Sequence, residues 1–160
     1  MITFQRLNAG DVERLRQIRL LALKDAPDAF STTFQDAFVW PRDSWVRQLQ
    51  KLPTFVAVVD GADSGMVRGA LHSEKINEAY LLSLWVAPHA RGQGVGQGLI
   101  NAVIDWMRSE GCQRLVLDVG EHNAGVIALY QRMGFKPTGI TKPMPPPREH
   151  ILEFEMALEL

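Results

Sequence analysis

Cysteine and long apolar segments are both scarce in this 160-residue chain, whose one thiol is Cys112. A single cysteine excludes an internal disulfide and any metal site built from several cysteines, and it fits a reducing, cytoplasmic location. The apolar runs are far shorter than the roughly 20 residues that a membrane-spanning helix needs, and the charged N-terminal segment is not typical of a signal peptide. We therefore expect one cytoplasmic domain, spanning 1–160, that has no contact with a membrane.

An excess of charge of either sign is also missing. Lys and Arg together number 17 and Asp and Glu 18, which gives a net charge of −1. Domains that bind nucleic acids are usually clearly basic, so near-neutrality disfavours that class, and it disfavours binding to anionic membrane surfaces. The four histidines lack the spacing of metal ligands, so no metal site is predicted.

Hydrophobic periodicity predicts a mixed α/β chain. Strands are predicted at 2–7, 54–59, 66–74, 78–86, 114–119, 137–141 and 151–158, and helices at about 8–24, 41–51, 97–110 and 123–133. The helix at 97–110 joins two predicted strands, which is typical of a β-α-β crossover.

A glycine-rich stretch, residues 90–99 (ARGQGVGQGL), follows the predicted strand 78–86 and opens the next helix. Backbone N–H groups at the positive end of a helix dipole bind anions, and glycine lets a ligand approach closely. The glycine spacing fails the dinucleotide pattern G-x-G-x-x-G in every register, and no Gly-Lys-Ser/Thr follows for a P-loop. The spacing that fits is Arg91-x-x-Gly94-x-Gly96, and it predicts a phosphate site.

The charge around this stretch supports the same prediction. Residues 79–104 contain no Asp or Glu, where about three would be expected from the composition, and an acid-free surrounding suits a polyphosphate. The alternative is a plain strand-to-helix turn, but a turn does not need four glycines at alternate positions, so their number disfavours it.

Two segments together resemble the GNAT superfamily of N-acetyltransferases. Residues 82–96 (LSLWVAPHARGQGVG) are similar to its Gln/Arg-x-x-Gly-x-Gly/Ala motif between a strand and a helix. Residues 123–135 (NAGVIALYQRMGF) are similar to its N-x-x-A-x-x-x-Y-x-x-x-G-F region, with the alanines fitting loosely. The resemblance implies the acyl-CoA N-acyltransferase fold, a mixed, mostly antiparallel sheet of six to seven strands flanked by four helices.

The resemblance also implies acetyl-CoA as donor and an amine as acceptor, with direct attack in a ternary complex. The strand residues would pair with the pantetheine arm, the amide of Val86 would polarise the thioester carbonyl, and the loop amides would cradle the pyrophosphate. Asn123 would contact the CoA arm, and Tyr130 would protonate the departing thiolate. The implied cofactor-binding residues are Leu84, Trp85, Val86, Arg91, Gly92, Gln93, Gly94, Val95, Gly96 and Asn123.

Other roles stay open for several residues. Asn123 could be only a helix N-cap and Tyr130 only a core residue, while Cys112 is better explained as an inert buried thiol than as an acetyl carrier. The proline-rich segment 143–147 forms either a lip on the acceptor side or a plain connection. The general base is not identified, and the candidates for it are His72, Glu74, Ser83, Glu121 and His122.

The acceptor is predicted to be a small-molecule amine, with a protein N-terminus or lysine as the second choice. A CoA-binding sensor without turnover is the alternative from a different class, motivated by the missing base. The resemblance also makes a homodimer plausible.

Overall fold

The computed structural model describes residues 1–72 and 74–160, through which one seven-stranded sheet runs. The strands are β1 (Ile2–Arg6), β2 (Thr54–Val59), β3 (Ala62–Leu71), β4 (Glu78–Val86), β5 (Arg114–Gly120), β6 (Lys136–Pro143) and β7 (Leu152–Glu159). The helices are α1 (Val12–Asp25), α2 (Phe34–Phe38), α3 (Arg42–Lys51), α4 (Val95–Ser109) and α5 (Ala124–Arg132). The strand order is β1-β2-β3-β4-β5-β7-β6, and only β4 and β5 run parallel, which confirms the predicted mixed, mostly antiparallel sheet.

The bounds of several elements differ from the prediction; strand β3, for example, begins at Ala62 rather than at 66. Helix α2, whose N-cap Thr33 accepts a hydrogen bond from the amide of Asp36, was missed because five residues are too few to show a helical period. Helix α4 begins at Val95, two residues early, because Gly94 takes a left-handed conformation that ends the loop. Strand β3 ends at Leu71, whereas the predicted strand 66–74 extends over Ser73, which lies outside the described residues.

Helices cover both faces of the sheet. On one face α1 buries Leu15 and Ile18 in a cluster that includes Trp45 of α3. On the other face α4 buries Leu99 and Val103. Burial of each such aliphatic side chain contributes about 1.5–3 kcal/mol, so both faces hold the sheet rigidly.

A gap opens between the two parallel strands. β4 and β5 pair only from Glu78 to Tyr80 on β4, opposite Arg114 to Val116 on β5. No pairing joins the later residues of these strands in the part of the chain that the structure describes. On its other edge β4 is bulged against β3 near Ser83, which has a φ of +60°. The divergence leaves backbone groups of β4 facing an opening in the middle of the sheet.

Within residues 1–72 and 74–160, no helix combines the length and the apolar character needed to cross a membrane. The same residues contain no group of three His, Cys, Asp or Glu side chains that could hold a metal ion. The Cys112 thiol is buried, and desolvation raises its pKa, which makes the reactive thiolate scarcer.

Candidate active site

A cavity of about 980 Å³ runs along the end of β4, the glycine loop and the start of α5. Nine of the ten residues that the sequence predicts for the cofactor line it, namely Leu84, Trp85, Val86, Arg91, Gly92, Gly94, Val95, Gly96 and Asn123. Gln93 is not part of this lining, and its side-chain amide donates to the carbonyl of His89 at 3.1 Å. We call this space the donor cavity.

The glycine loop presents unpaired amides to the donor cavity. Gly92 and Gly94 have φ values of +76° and +81°, a region that favours glycine, and a Cβ at either position would meet no atom within 4 Å. The first helical bond of α4 runs from Gly98 N to Gly94 O, so the amides of residues 95–97 have no acceptor within the helix. Their location at the positive end of the α4 dipole suits an anion.

Arg91 fixes the loop rather than offering its backbone to a ligand. Its amide donates to the carbonyl of Pro88 at 3.4 Å, so the expected cradle is formed by the later loop residues. Its guanidinium Nε donates to the carbonyl of Val86 at 3.0 Å, and Nη2 lies 2.8 Å from a carboxylate oxygen of Asp25. The same oxygen accepts a bond from the indole of Trp85 at 2.9 Å. The loop is thus tied to the ends of both β4 and α1.

The surroundings of the loop are not free of acids, contrary to the inference from residues 79–104. Asp25, the last residue of α1, and Asp28, in the segment that follows it, line the donor cavity. The sequence could not reveal this contact because 66 positions separate Asp25 from Arg91. Asp25 offsets the charge of Arg91, which leaves Arg132 and the start of α4 as the remaining positive groups in the lining.

The backbone of β4 offers a donor to the gap. The amide of Ala87 donates to the carbonyl of Ser64, toward β3, at 2.8 Å. Backbone groups of successive residues in an extended chain point to opposite edges, so the amide of Val86 faces the gap. The Val86 carbonyl, which accepts from Arg91, points to the same side. This is the orientation that the expected contact with a thioester carbonyl requires.

A second cavity, of about 530 Å³, adjoins the donor cavity. We call it the acceptor cavity. The two cavities share residues from the segment after α1, from β4 and from the start of α5, namely Ala29, Phe30, Leu84, Asn123 and Val126. The two cavities therefore meet beside the gap between β4 and β5.

Of the two residues predicted from the second motif, Asn123 lies where the two cavities meet, and Tyr130 lines the acceptor cavity but not the donor cavity. Asn123 occupies the N-cap position of α5, yet its side chain makes no capping hydrogen bond, which weakens the purely structural explanation. Tyr130 is 5% exposed, contacts Phe135 with ring centroids 5.4 Å apart, and lines the acceptor cavity. Burial raises the pKa of Tyr130 above its usual value, so the phenol keeps its proton at neutral pH.

Two of the five candidate bases line one of the two cavities, and three line neither. Ser83 lines the acceptor cavity and His122 lines the donor cavity, whereas His72, Glu74 and Glu121 line neither. The Ser83 hydroxyl accepts two hydrogen bonds from a buried guanidinium, which opposes a role in taking up a proton.

Sequence reasoning missed two carboxylates of the acceptor cavity, Asp118 on β5 and Glu153 on β7. The alternation of acidic and apolar residues in β7 marks a polar face but not what that face meets. Desolvation and the charge of Asp118 raise the pKa of Glu153, while Lys142 and Arg148 lower it. The Lys142 ammonium lies 2.9 Å from Asp118.

The proline-rich segment borders the acceptor cavity through Pro143 and Pro145. The buried Arg148, just after it, donates to the backbone carbonyls of Pro27, Phe30 and Ser31. The connection between β6 and β7 is therefore fastened to the segment that follows α1.

Two tryptophans near the start of α3, Trp40 and Trp45, lie outside the acceptor cavity. Trp40 and Trp45 contact each other with ring centroids 5.3 Å apart, and neither lines the acceptor cavity. Trp45 is 1% exposed within the α1–α3 cluster, so helix packing accounts for it.

Comparison with known proteins identifies relatives. The chain is 31% identical over 102 residues to an uncharacterized N-acetyltransferase of Methanocaldococcus jannaschii, a match that covers 61% of this chain and 45% of that protein. It is 28% identical over 130 residues to the ribosomal protein bS18 alanine N-acetyltransferase of Escherichia coli, covering 80% of this chain and 86% of that enzyme. The chain thus spans less than half of the archaeal relative and most of the bacterial one.

Solved structures share the fold. A Salmonella typhimurium protein, solved with its cofactor acetyl-CoA, superposes with a TM-score of 0.80 at 21% identity, over 100% of this chain and 94% of that one. The model of the acetyltransferase (GNAT) family matches residues 16–135, which is most of the chain. The expected family and fold are thereby confirmed. The chain belongs to the GNAT acetyltransferase family.

Proposed function

We propose that this protein transfers the acetyl group of acetyl-CoA directly to the primary amine of a small molecule. The observation that carries the proposal is the meeting of the donor and acceptor cavities at the gap between β4 and β5. An acyl donor in one space and an amine in the other would react where the spaces join, without a covalent intermediate on the protein. Residues 1–160 act in this proposal as a single catalytic domain.

The donor side accounts for both ends of the cofactor. The amides of residues 95–97 bind the pyrophosphate, and the free edge of β4 hydrogen-bonds the pantetheine arm. The amide of Val86 then donates to the thioester oxygen, where negative charge develops as the amine attacks. Asn123, whose side chain does not cap α5, contacts the arm from the opposite side of the gap.

We assign to Tyr130 the stabilisation of the departing CoA thiolate. The phenol stays protonated because burial raises its pKa, so complete proton transfer to a thiolate, whose conjugate acid has a pKa near 8.5, is uphill. Tyr130 therefore acts mainly by donating a hydrogen bond to the sulfur as the C–S bond breaks. A hydrogen bond to a charged group contributes roughly 1.5–3 kcal/mol, or about 10- to 150-fold in kcat.

The amine must lose a proton, and Glu153 is the group that we propose for it. An alkyl ammonium with a pKa near 10.4 is neutral in about one molecule per thousand at pH 7.4, which costs about 4 kcal/mol. Glu153 and Asp118 are the carboxylates that line the acceptor cavity among the described residues. The raised pKa of Glu153 makes it a stronger base than an ordinary glutamate.

A small acceptor fits the acceptor cavity, whose volume of about 530 Å³ lies within the usual range for small-molecule sites. The fastened connection between β6 and β7 forms part of the cavity lining through Pro143 and Pro145. A protein N-terminus is the second candidate, favoured by the E. coli relative that acetylates an alanine of a ribosomal protein.

Thiol release from acetyl-CoA over a panel of amines and peptides tests the proposal. We expect release with small primary amines, and a Tyr130→Phe variant that keeps its KM for acetyl-CoA while kcat falls. Tyr80→Phe removes the other phenol bordering the acceptor cavity and serves as the matched control, with kcat unchanged. Tight acetyl-CoA binding with no release on any amine or peptide would instead identify a sensor, and an unaltered kcat in Tyr130→Phe would remove that residue from the mechanism.

A further inference from the structure

Two buried arginines line the acceptor cavity without a carboxylate partner. Arg19 on α1 is 4% exposed and Arg68 on β3 is 7% exposed. Among residues 1–72 and 74–160, neither guanidinium lies within ion-pair distance of an acid. Buried charges in proteins are normally paired, so two adjacent unpaired cations at a substrate cavity require an explanation.

Arg68 is held in place by neutral groups. Its Nε and Nη2 donate to the hydroxyl of Ser83 at 3.1 and 2.8 Å, and Nη1 donates to the side-chain oxygen of Gln48 at 2.8 Å. These contacts use three of the five N–H donors of the guanidinium and cancel none of its charge. The guanidinium of Arg68 is thus held in one orientation, and two of its N–H donors remain for a ligand.

The guanidinium of Arg19 has fewer hydrogen-bond partners than that of Arg68 in the described structure. Its guanidinium carbon lies 4.7 Å from the ring centroid of Phe30, and Nη1 is buried with no hydrogen-bond partner in the described structure. Desolvation and the like charge of Arg68 lower the pKa of Arg19 to about 9, and desolvation lowers that of Arg68 to about 10. Both side chains therefore remain cationic at neutral pH, and an anion between them would relieve the repulsion.

The opposite wall of the acceptor cavity carries negative charge. Asp118 on β5 and Glu153 on β7 line it, and Lys142 neutralises only part of their charge. The strand order puts β3 on one side of the gap and both β5 and β7 on the other. The cavity thus has a cationic wall and a carboxylate wall, separated by the opening toward the donor cavity.

We propose that the acceptor is an amine that also carries an anionic group, as an amino acid does. Arg19 and Arg68 bind the anion, and the amino group lies toward Glu153 and Asp118 at the gap. This inference rests on the proposed acetyl transfer. In the reaction the amine nitrogen forms a bond to the acetyl carbon, the C–S bond breaks, the amine proton passes to Glu153, and CoA leaves as its thiolate, which takes up a proton.

A substrate series separates the anion from the rest of the acceptor. Thiol release is measured with free amino acids, their carboxamides, the corresponding decarboxylated amines, aminoalkylphosphonates and short peptides. We expect the carboxamide and the decarboxylated amine to lose about 10- to 150-fold in kcat/KM, the range for one hydrogen bond between charged groups. Activity of the aminoalkylphosphonates above that of the amino acids would identify a phosphonate as the anion rather than a carboxylate.

Variants connect the preference to the two arginines. Arg19→Met and Arg68→Met should raise KM for the anionic amine by a similar factor, leave KM for acetyl-CoA unchanged, and reduce the discrimination against the carboxamide. Arg16→Met removes a partly exposed arginine from the same helix and serves as the matched control. Calorimetry with CoA shows for each variant that the fold is intact.

The outcomes distinguish the two proposals. Equal turnover of amino acids and their carboxamides, or of peptides alone, would overturn the anionic acceptor while acetyl transfer stands. If no amine reacts, the proposed function fails, and binding of N-acetyl amino acids to the CoA complex decides the inference independently. The anionic acceptor is supported if this binding needs the carboxylate and is lost in Arg19→Met. It is refuted if neither removal of the carboxylate nor the Arg19→Met substitution changes the binding.

Discussion

Replacement of Arg19 by methionine should make the free protein more stable. A guanidinium whose pKa falls from 12.5 to about 9 is disfavoured in its charged form by roughly 5 kcal/mol, at about 1.4 kcal/mol for each tenfold change. Methionine gives up the stacking on Phe30, worth about 0.5–2 kcal/mol, and leaves some space unfilled. Replacement of a buried ion pair by apolar side chains is often neutral or stabilising by about 1–4 kcal/mol, and for the unpaired Arg19 we expect a net gain of about 2 kcal/mol.

Urea denaturation followed by tryptophan fluorescence measures this gain, and calorimetry should show a Tm increase of about 4–8 °C for a chain of this size. The measurements use protein dialysed against a buffer without carboxylates, with Arg16→Met as the control. An Arg19→Met variant that is as stable as the original protein, or less so, would refute the idea that this charge is uncompensated. Added acetate should narrow the difference, because it stabilises only the protein with both arginines.

Substitutions at three further positions, with Gly111→Ala as a control for one of them, test other parts of the site. Gly94→Ala and Gly111→Ala both put a side chain at a left-handed φ and should cost about 1–2 kcal/mol of stability each, but only Gly94→Ala should raise KM for acetyl-CoA in steady-state kinetics. Arg148→Met should raise KM for the acceptor and speed proteolysis of segment 27–31, because three backbone carbonyls lose their donor. Glu153→Gln should lower kcat/KM and abolish the acid limb of its pH profile, since the carboxylate must be ionised to accept a proton and desolvation raises its pKa above the usual value. An acid limb that persists in Glu153→Gln would assign that limb to another group.

The fold and the donor side could be predicted from the sequence because their signals are local. Periodicity predicted the strands and the four longer helices, and the glycines of residues 92–98 predicted the anion site beside α4. Gly92 and Gly94 are required by backbone conformation, which a short sequence pattern records directly. The predicted helix at 97–110 joins β4 to β5. Two strands joined by such a crossover run parallel in the same sheet, as β4 and β5 do.

The acceptor side could not be predicted because its contacts join distant segments. Arg19, Arg68 and Glu153 come from one helix and two non-adjacent strands, and each alone looks like an ordinary surface charge. Asp25 likewise lines the donor cavity although it is far in sequence from residues 79–104, the segment without acids. Only the strand order and the fastening of the segment after α1 bring these groups together, and neither is visible in any window of sequence.

The attachment of the proline-rich connection also bears on how such a site changes over evolution. Arg148 binds backbone carbonyls of Pro27, Phe30 and Ser31, and every residue type offers the same carbonyl group. Side chains in segment 27–31 can therefore be exchanged without loss of this fastening. Descendants of this chain could acquire new acceptors by substitution along one wall while the border of the cavity keeps its shape.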